Sequence, residues 1–168
     1  MTKLKYEVSV AVPITDIYNY ASSPRNWAEW YPGTTEVEGA PVGPLQVGDT
    51  WGEAVEIAGM RMQLSWRATE VEAPYAWTIE GSGNIHGPFK FVMQGGTAML
   101  RHRLEEKEGY TRYRREITIR YSNPFLKLAN RLFLARKTAA ELEDGLQCLK
   151  RILEDRHTTK STPVEDVA

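Results

Sequence analysis

The sequence predicts an α+β fold, in which a curved antiparallel β-sheet wraps around a long C-terminal helix and two short helices follow the first strand. Three patterns carry this reading. Apolar and polar residues alternate along Leu4 to Val12 and again through most of the stretch from Gly33 to Tyr121, the signature of half-buried strands. Helical spacing interrupts that alternation once near the start, and a single long amphipathic stripe follows it at the end.

The first strand is read from Leu4, Tyr6, Val8, Val10 and Val12, with Lys5, Glu7 and Ser9 between them. Pro13 suits the opening of a helix, where its missing N–H costs nothing, and Ile14, Ile17, Tyr18 and Ala21 then recur at helical spacing. A second short helix is expected from Ser23-Pro24, with Ser23 as its N-cap, carrying Trp27 and Trp30 and stopping before Pro32-Gly33. Gly39 to Gly48 is a Gly- and Pro-rich loop. Thr50 to Ile57 and Arg61 to Val71 alternate around a hairpin turn at Ala58-Gly59. A turn at Glu72-Ala73-Pro74 leads into a strand at Tyr75 to Ser82, and Phe89 to Met93 suggests a further short strand with no evident pairing for residues 83–96. Thr97 to Glu106 and Thr111 to Tyr121 form a final hairpin around Glu108-Gly109.

Ser122 or Asn123 caps the last helix and Pro124 occupies its first turn. Its stripe is Phe125, Leu128, Leu132, Ala139, Leu142, Leu146, Leu149 and Leu153, with a bend expected near Arg136 to Ala140. Residues 1–156 therefore read as one domain, and residues 157–168, polar and holding Pro163, as a disordered tail.

Composition narrows the function. The 168 residues are 42% hydrophobic and 26% charged, ordinary for a globular chain. A net charge of −1 provides no general attraction to nucleic acid or anionic membrane. No apolar run reaches the roughly 18 residues of a membrane span, and MTKLKYEVSVAVP lacks the apolar core of a secretory signal. The lone Cys148 rules out an intramolecular disulfide and points to a reducing cytoplasm. His86, His102 and His157 show no metal-ligand spacing, and Gly81-Ser82-Gly83 with Gly87 does not match a nucleotide-binding loop. Neither metal nor cofactor is expected.

The motifs resemble a known superfamily. VAVPITDIYNYASSPRNWAEWYPG at the start, VGDTW before the second hairpin, EGYTRYR at the last one and LKRILEDRH at the end look like the START-like, polyketide cyclase/dehydrase group (SRPBCC). The likeness runs from about Tyr6 to His157. It implies a helix-grip fold with an internal cavity for hydrophobic ligands such as lipids, hormones or polyketides, in a superfamily that mixes binders, transporters and enzymes. In its polyketide aromatase/cyclases a Ser and an Arg face inward on one strand, a pattern that falls here on Ser65 and Arg67. Alternation places these two opposite the apolar set Met62, Leu64, Trp66 and Ala68, and only a bulge would turn them inward.

Three polar residues interrupt the inward apolar positions: Glu53 between Trp51 and Val55, His102 between Leu100 and Leu104, and Arg115 between Tyr113 and Ile117. A buried charge requires a partner. One reading makes these residues the polar end of a greasy pocket, with Glu53 or His102 transferring protons and Arg115 holding a carboxylate or enolate oxygen. The other makes them a structural Glu–Arg pair and a hydrogen-bonded core histidine. The expected ligand wall is Trp27, Tyr31, Trp51, Met62, Leu64, Trp66, Trp77 and Tyr113, within an aromatic set that also includes Trp30 and Tyr75.

The leading expectation is a binder of an apolar, ring-containing small molecule. The alternatives are a cofactor-independent polyketide cyclase, aromatase or dehydratase, and an interaction module with a filled core. The opposite sheet face carries Arg101, Arg103, Arg112, Arg114 and Arg120. It reads as a solvated surface, or as a dock for an acidic partner such as an acyl carrier protein.

Overall fold

The computed structural model describes residues 2–57, 60–85, 96–120 and 135–161. Among these, seven strands form one antiparallel sheet in the order β1-β7-β6-β5-β4-β3-β2. They are β1 (Thr2–Val10), β2 (Thr34–Glu38), β3 (Thr50–Ile57), β4 (Met60–Glu72), β5 (Ala76–Ile85), β6 (Gly96–Lys107) and β7 (Tyr110–Arg120). Between β1 and β2 lie α1 (Ile14–Ala21), a 3₁₀ turn (Pro24–Asn26) and α2 (Trp27–Trp30), and the last described element is α3 (Ala135–Ser161). This is the expected α+β helix-grip architecture, a curled sheet gripping its C-terminal helix.

From β3 onward each strand pairs with its sequence neighbour, while β1 closes the far side against β7, as in Val8 opposite Tyr113. The two-residue turn at Glu108-Gly109 needs a positive φ, and Gly109 supplies it at +79°. Parity then fixes the faces. On β7, Thr111, Tyr113, Arg115 and Ile117 are buried, and the residues between them are partly exposed. On α3, Leu142, Leu146, Leu149 and Leu153 are buried at spacings of four, three and four, facing the sheet.

Two glycine sites explain how the core closes. A Cβ on Gly81 would drive into the ring of Trp66, its register partner on β4. Gly145 serves α3 in the same way, because a Cβ there would come 2.9 Å from Cδ2 of Tyr31. The helix-propensity cost of about 1 kcal/mol at that position is the cost of seating the Tyr31 ring between helix and sheet.

Three expectations change. Ser23 precedes the 3₁₀ turn but makes no side-chain cap; its hydroxyl donates to the Asn19 carbonyl at 2.6 Å, closing the end of α1 instead. Residues 157–161 are not a tail. The helix runs through Ser161, with the Thr158 and Thr159 hydroxyls donating to the Glu154 and Asp155 carbonyls and His157 Nδ1 lying 3.7 Å from Asp16. Both hydroxyls thus bond back to carbonyls one turn earlier, which threonine commonly does inside a helix. Tyr75 is 53% exposed and sits outside the aromatic interior, because it lies in the turn before β5 begins. The strand expected at Phe89 to Met93, the turn at Ala58-Gly59 and the helix start at Ser122 to Leu132 fall outside the described residues.

The end of α3 is clasped to the opening helices. Arg156 pairs with Glu29 at 2.9 Å and lies over the Tyr20 ring at 4.7 Å, and Tyr20 donates to the same Glu29 carboxylate at 2.8 Å. Glu154 accepts the Ala11 N–H at 2.8 Å. These contacts hold the helix across the concave face.

Candidate functional site

The polar groups of the concave face lie in two places. The first is a single row across four strands. Trp77 on β5 is opposite His102 on β6, His102 is opposite Arg115 on β7, and Arg115 is opposite Tyr6 on β1. Apolar rows flank it, Leu104–Tyr113–Val8 on one side and Ile79–Leu100–Ile117–Leu4 on the other. Trp77, His102 and Arg115 are all buried.

Within the row, Trp77 and His102 stack at 4.4 Å with their planes 5° apart, and Tyr113 adds a third near-parallel ring. Tyr18 of α1 meets Trp77 edge-on at 5.7 Å and covers the stack. Tyr113 Oη lies 2.6 Å from His102 Nδ1. Burial, and then the nearby Arg115 charge, push the His102 pKa well below its ordinary value, so the ring is neutral. Burial raises the Tyr113 phenol, which stays protonated.

Arg115 is the exception in the interior. Its guanidinium lies 5.6 Å from the Trp30 ring centroid and 5.1 Å from that of Tyr31, within cation–π range. Its Nε and Nη1 are buried with no hydrogen-bond partner, and it forms no ion pair among the described residues. The structural Glu–Arg pair anticipated as one alternative is not formed. The charge is nonetheless felt by its surroundings, since it counters part of the burial-driven rise of the Tyr31 pKa, which is pushed up to about 12.

The second place is Glu53 on β3. Its carboxyl is held from both neighbouring strands, by the Thr34 hydroxyl of β2 at 2.5 Å and by Trp66 Nε1 of β4 at 2.6 Å. Burial raises its pKa, while those two hydrogen bonds and the Arg115 charge oppose the rise. A carboxyl held in place with a raised pKa is suited to exchange a proton with a bound molecule.

The expected wall residues divide by position. Trp51, Trp66, Trp27, Tyr31, Trp77 and Tyr113 are buried, with Trp27 edge-on to Trp51 at 5.4 Å. Met62 and Leu64 are half-buried further along β4. Ser65 and Arg67 are exposed and line an open groove on the opposite face of the sheet together with Glu80, Ser82, Thr97 and Arg120. The β4 irregularity falls between Ala68 and Glu70, beyond both residues, so it does not turn them inward. Sequence reasoning missed Thr34, which carries no signal of its own, and Tyr6, which shares the alternation of Leu4 and Val8 and stands out from them only by its hydroxyl. Among the described residues, no group of three or more His, Cys, Asp or Glu side chains is placed to hold a metal ion. No described helix is long and apolar enough to cross a membrane.

A curled antiparallel sheet with an aromatic concave face and a gripping C-terminal helix defines the helix-grip class. The family model described as "Polyketide cyclase / dehydrase and lipid transport" matches residues 1–154, and the chain belongs to that family. No curated protein matches the sequence. Among solved structures, a conserved protein from Geobacillus kaustophilus has a TM-score of 0.72 at 10% identity, covering 92% of this chain and 96% of its own. A Thermus thermophilus protein gives 0.68 at 12% identity, covering 96% of this chain and all of its own (100%). DynU16, from the dynemicin biosynthetic locus, gives 0.58 at 18% identity over 90% of this chain, which spans 47% of that protein's length. At these identities the likeness is one of fold.

Proposed function

We propose that this chain binds an apolar, ring-containing small molecule, polyketide- or lipid-like, on the concave face beneath α3. The observation that carries the reading is Arg115, a buried guanidinium with unpartnered N–H groups among aromatic rings. An isolated buried charge is costly in a molecule with no use for it, and a ligand oxygen would complete its hydrogen bonding. Aromatic walls would supply most of the affinity by desolvating flat apolar surface, at roughly 25 cal/mol per Å² before ordering costs. The family description, which spans cyclases, dehydrases and lipid transport, is compatible with such a guest. The test is a panel of polycyclic aromatic and lipid probes followed by tryptophan fluorescence and thermal shift. Saturable quenching with a rise in Tm is expected; a panel that moves neither signal would remove the proposal.

Glu53 favours a second reading, a cofactor-independent cyclase, aromatase or dehydratase. A carboxyl with a raised pKa, held by Thr34 and Trp66 within reach of the Arg115 field, is equipped for general acid–base work on a bound carbonyl chain. Under this reading Glu53→Gln abolishes turnover of a polyketide-like substrate and leaves its binding intact. Unchanged turnover would take Glu53 out of the mechanism.

A further inference from the structure

The unpartnered polar atoms of the interior row are all nitrogens. Trp77 Nε1, His102 Nε2, and Arg115 Nε and Nη1 are buried without hydrogen-bond partners, and so is Nε1 of Trp30, whose ring faces the same guanidinium. Assigning the Tyr113 hydroxyl as donor to His102 Nδ1, 2.6 Å away, puts the imidazole proton on Nε2 and makes that nitrogen a donor as well. On the sheet the Glu53 carboxyl is already engaged, one oxygen taking the Thr34 hydroxyl and the other the Trp66 N–H. The row is therefore a strip of donors around one positive charge.

We propose, resting on the binding reading above, that the ligand presents an anionic oxygen to Arg115, so that the site selects acids over their neutral isosteres. A carboxylate, enolate or phenolate on an aromatic body meets this requirement. It supplies acceptors to donors that are otherwise unsatisfied and compensates a guanidinium that has no ion pair among the described residues. Among the described residues, none of the groups around that guanidinium forms an ion pair with it. Tyr6, Tyr31, His102 and Tyr113 are uncharged near neutrality, and Glu53, Glu141 and Glu143 form no ion pair with it. Burial also raises the Glu53 pKa, which weakens a counter-charge that the Arg115 guanidinium feels.

Two fluorescent dyes with one ring body separate this inference from the reading beneath it: neutral phenylnaphthylamine and anionic anilinonaphthalene sulfonate. Arg115→Met should weaken the sulfonate dye tenfold or more, and by at least fivefold more than it weakens the neutral dye. Equal effects on both dyes, or none on either, would overturn the charge selection and leave the binding proposal standing. If neither dye binds the unaltered protein, both fail. A second arm needs no variant: naphthoate should displace the neutral dye from the wild-type chain at concentrations where its methyl ester does not. Equal displacement by acid and ester would overturn the inference. Circular dichroism and a melting curve on Arg115→Met establish that a lost signal comes from a folded protein.

Discussion

Arg114 and Arg115 are neighbours on one strand, yet they occupy opposite physical worlds. Arg114 points outward and pairs with Glu7 at 2.8 Å, part of a cross-strand network with Arg112 and Glu105. Arg115 points inward, is 5% exposed, and has aromatic faces where a carboxylate would be expected. The outer face thus follows the usual rule for charges, pairing them in water where a pair is worth little and costs little. The inner face breaks that rule, and the binding proposal rests on the departure. Arginine content alone would have pointed to the outer face, whereas burial and missing partners point to the inner one.

The two faces should differ most in their tolerance of a single methyl group. Gly81 meets the Trp66 ring on the inner face, whereas a Cβ on the outward Gly52 would find only ordinary contacts at 3.8 Å with Gln63 and Glu38. Gly81→Ala should destabilise by about 2 kcal/mol through overpacking. Gly52→Ala should be neutral or slightly stabilising, since it reduces the freedom of the unfolded chain. Urea denaturation measures both, and equal effects would mean that the inner face has slack to repack.

A slightly smaller effect, of opposite sign, is expected at Arg115. Replacing an unpaired buried charge by an apolar side chain of similar reach removes a desolvation cost, so Arg115→Met should stabilise the ligand-free protein by about 1–2 kcal/mol. Lost stacking on Trp30 and Tyr31 offsets part of that gain. A gain in stability coupled to a loss in binding is what a functional residue predicts. A clear loss of stability would make Arg115 a structural member of the core.

Much of this was legible in the sequence. Period-two alternation assigned Glu53, His102 and Arg115 to the inner face and Ser65 and Arg67 to the outer one, because one parity error would have reversed every neighbour as well. What alternation cannot give is register between strands distant in sequence. That Trp77, His102, Arg115 and Tyr6 share a row depends on β1 returning to pair with β7, a contact that local pattern does not encode. The glycines were equally opaque: Gly145 reads as a helix defect until Tyr31 is seen filling the notch. The helix runs past residue 156 for a related reason, since its end is held by contacts distant in sequence, Arg156 with Glu29 and His157 beside Asp16.

The inner face should also govern the response to pH, with two residues pulling in opposite directions. His102 is neutral in the fold, its pKa lowered from 6.5 chiefly by burial. Below about that pH the unfolded chain takes up a proton that the folded chain refuses, so stability falls as pH drops. The Glu53 pKa is raised from 4.5. The fold therefore keeps a proton that the unfolded chain has lost, and this contribution weakens as pH rises. Tm followed from about pH 7.5 down to about 4.5 should fall less steeply in His102→Gln and more steeply in Glu53→Gln. A His102→Gln profile parallel to wild type would refute the buried neutral histidine.

The smallest effect belongs to the outer face. Arg114 and Glu7 are joined by two N–H···O contacts, at 3.0 and 2.8 Å, yet both side chains are about one-third or more exposed. Water already solvates each partner, so little is gained when they meet, and added salt screens what remains. A double-mutant cycle on Arg114→Ala and Glu7→Ala should yield a coupling near the error of the measurement, vanishing at high salt, with the binding of either dye unchanged. Arg115→Met should remain as effective on the anionic dye at high salt as at low, because a guanidinium enclosed by Trp30 and Tyr31 is shielded from mobile ions. If the two arginines responded to salt alike, burial would not be what separates them, and the outer face would have to be reconsidered as the place where an acidic group is recognised.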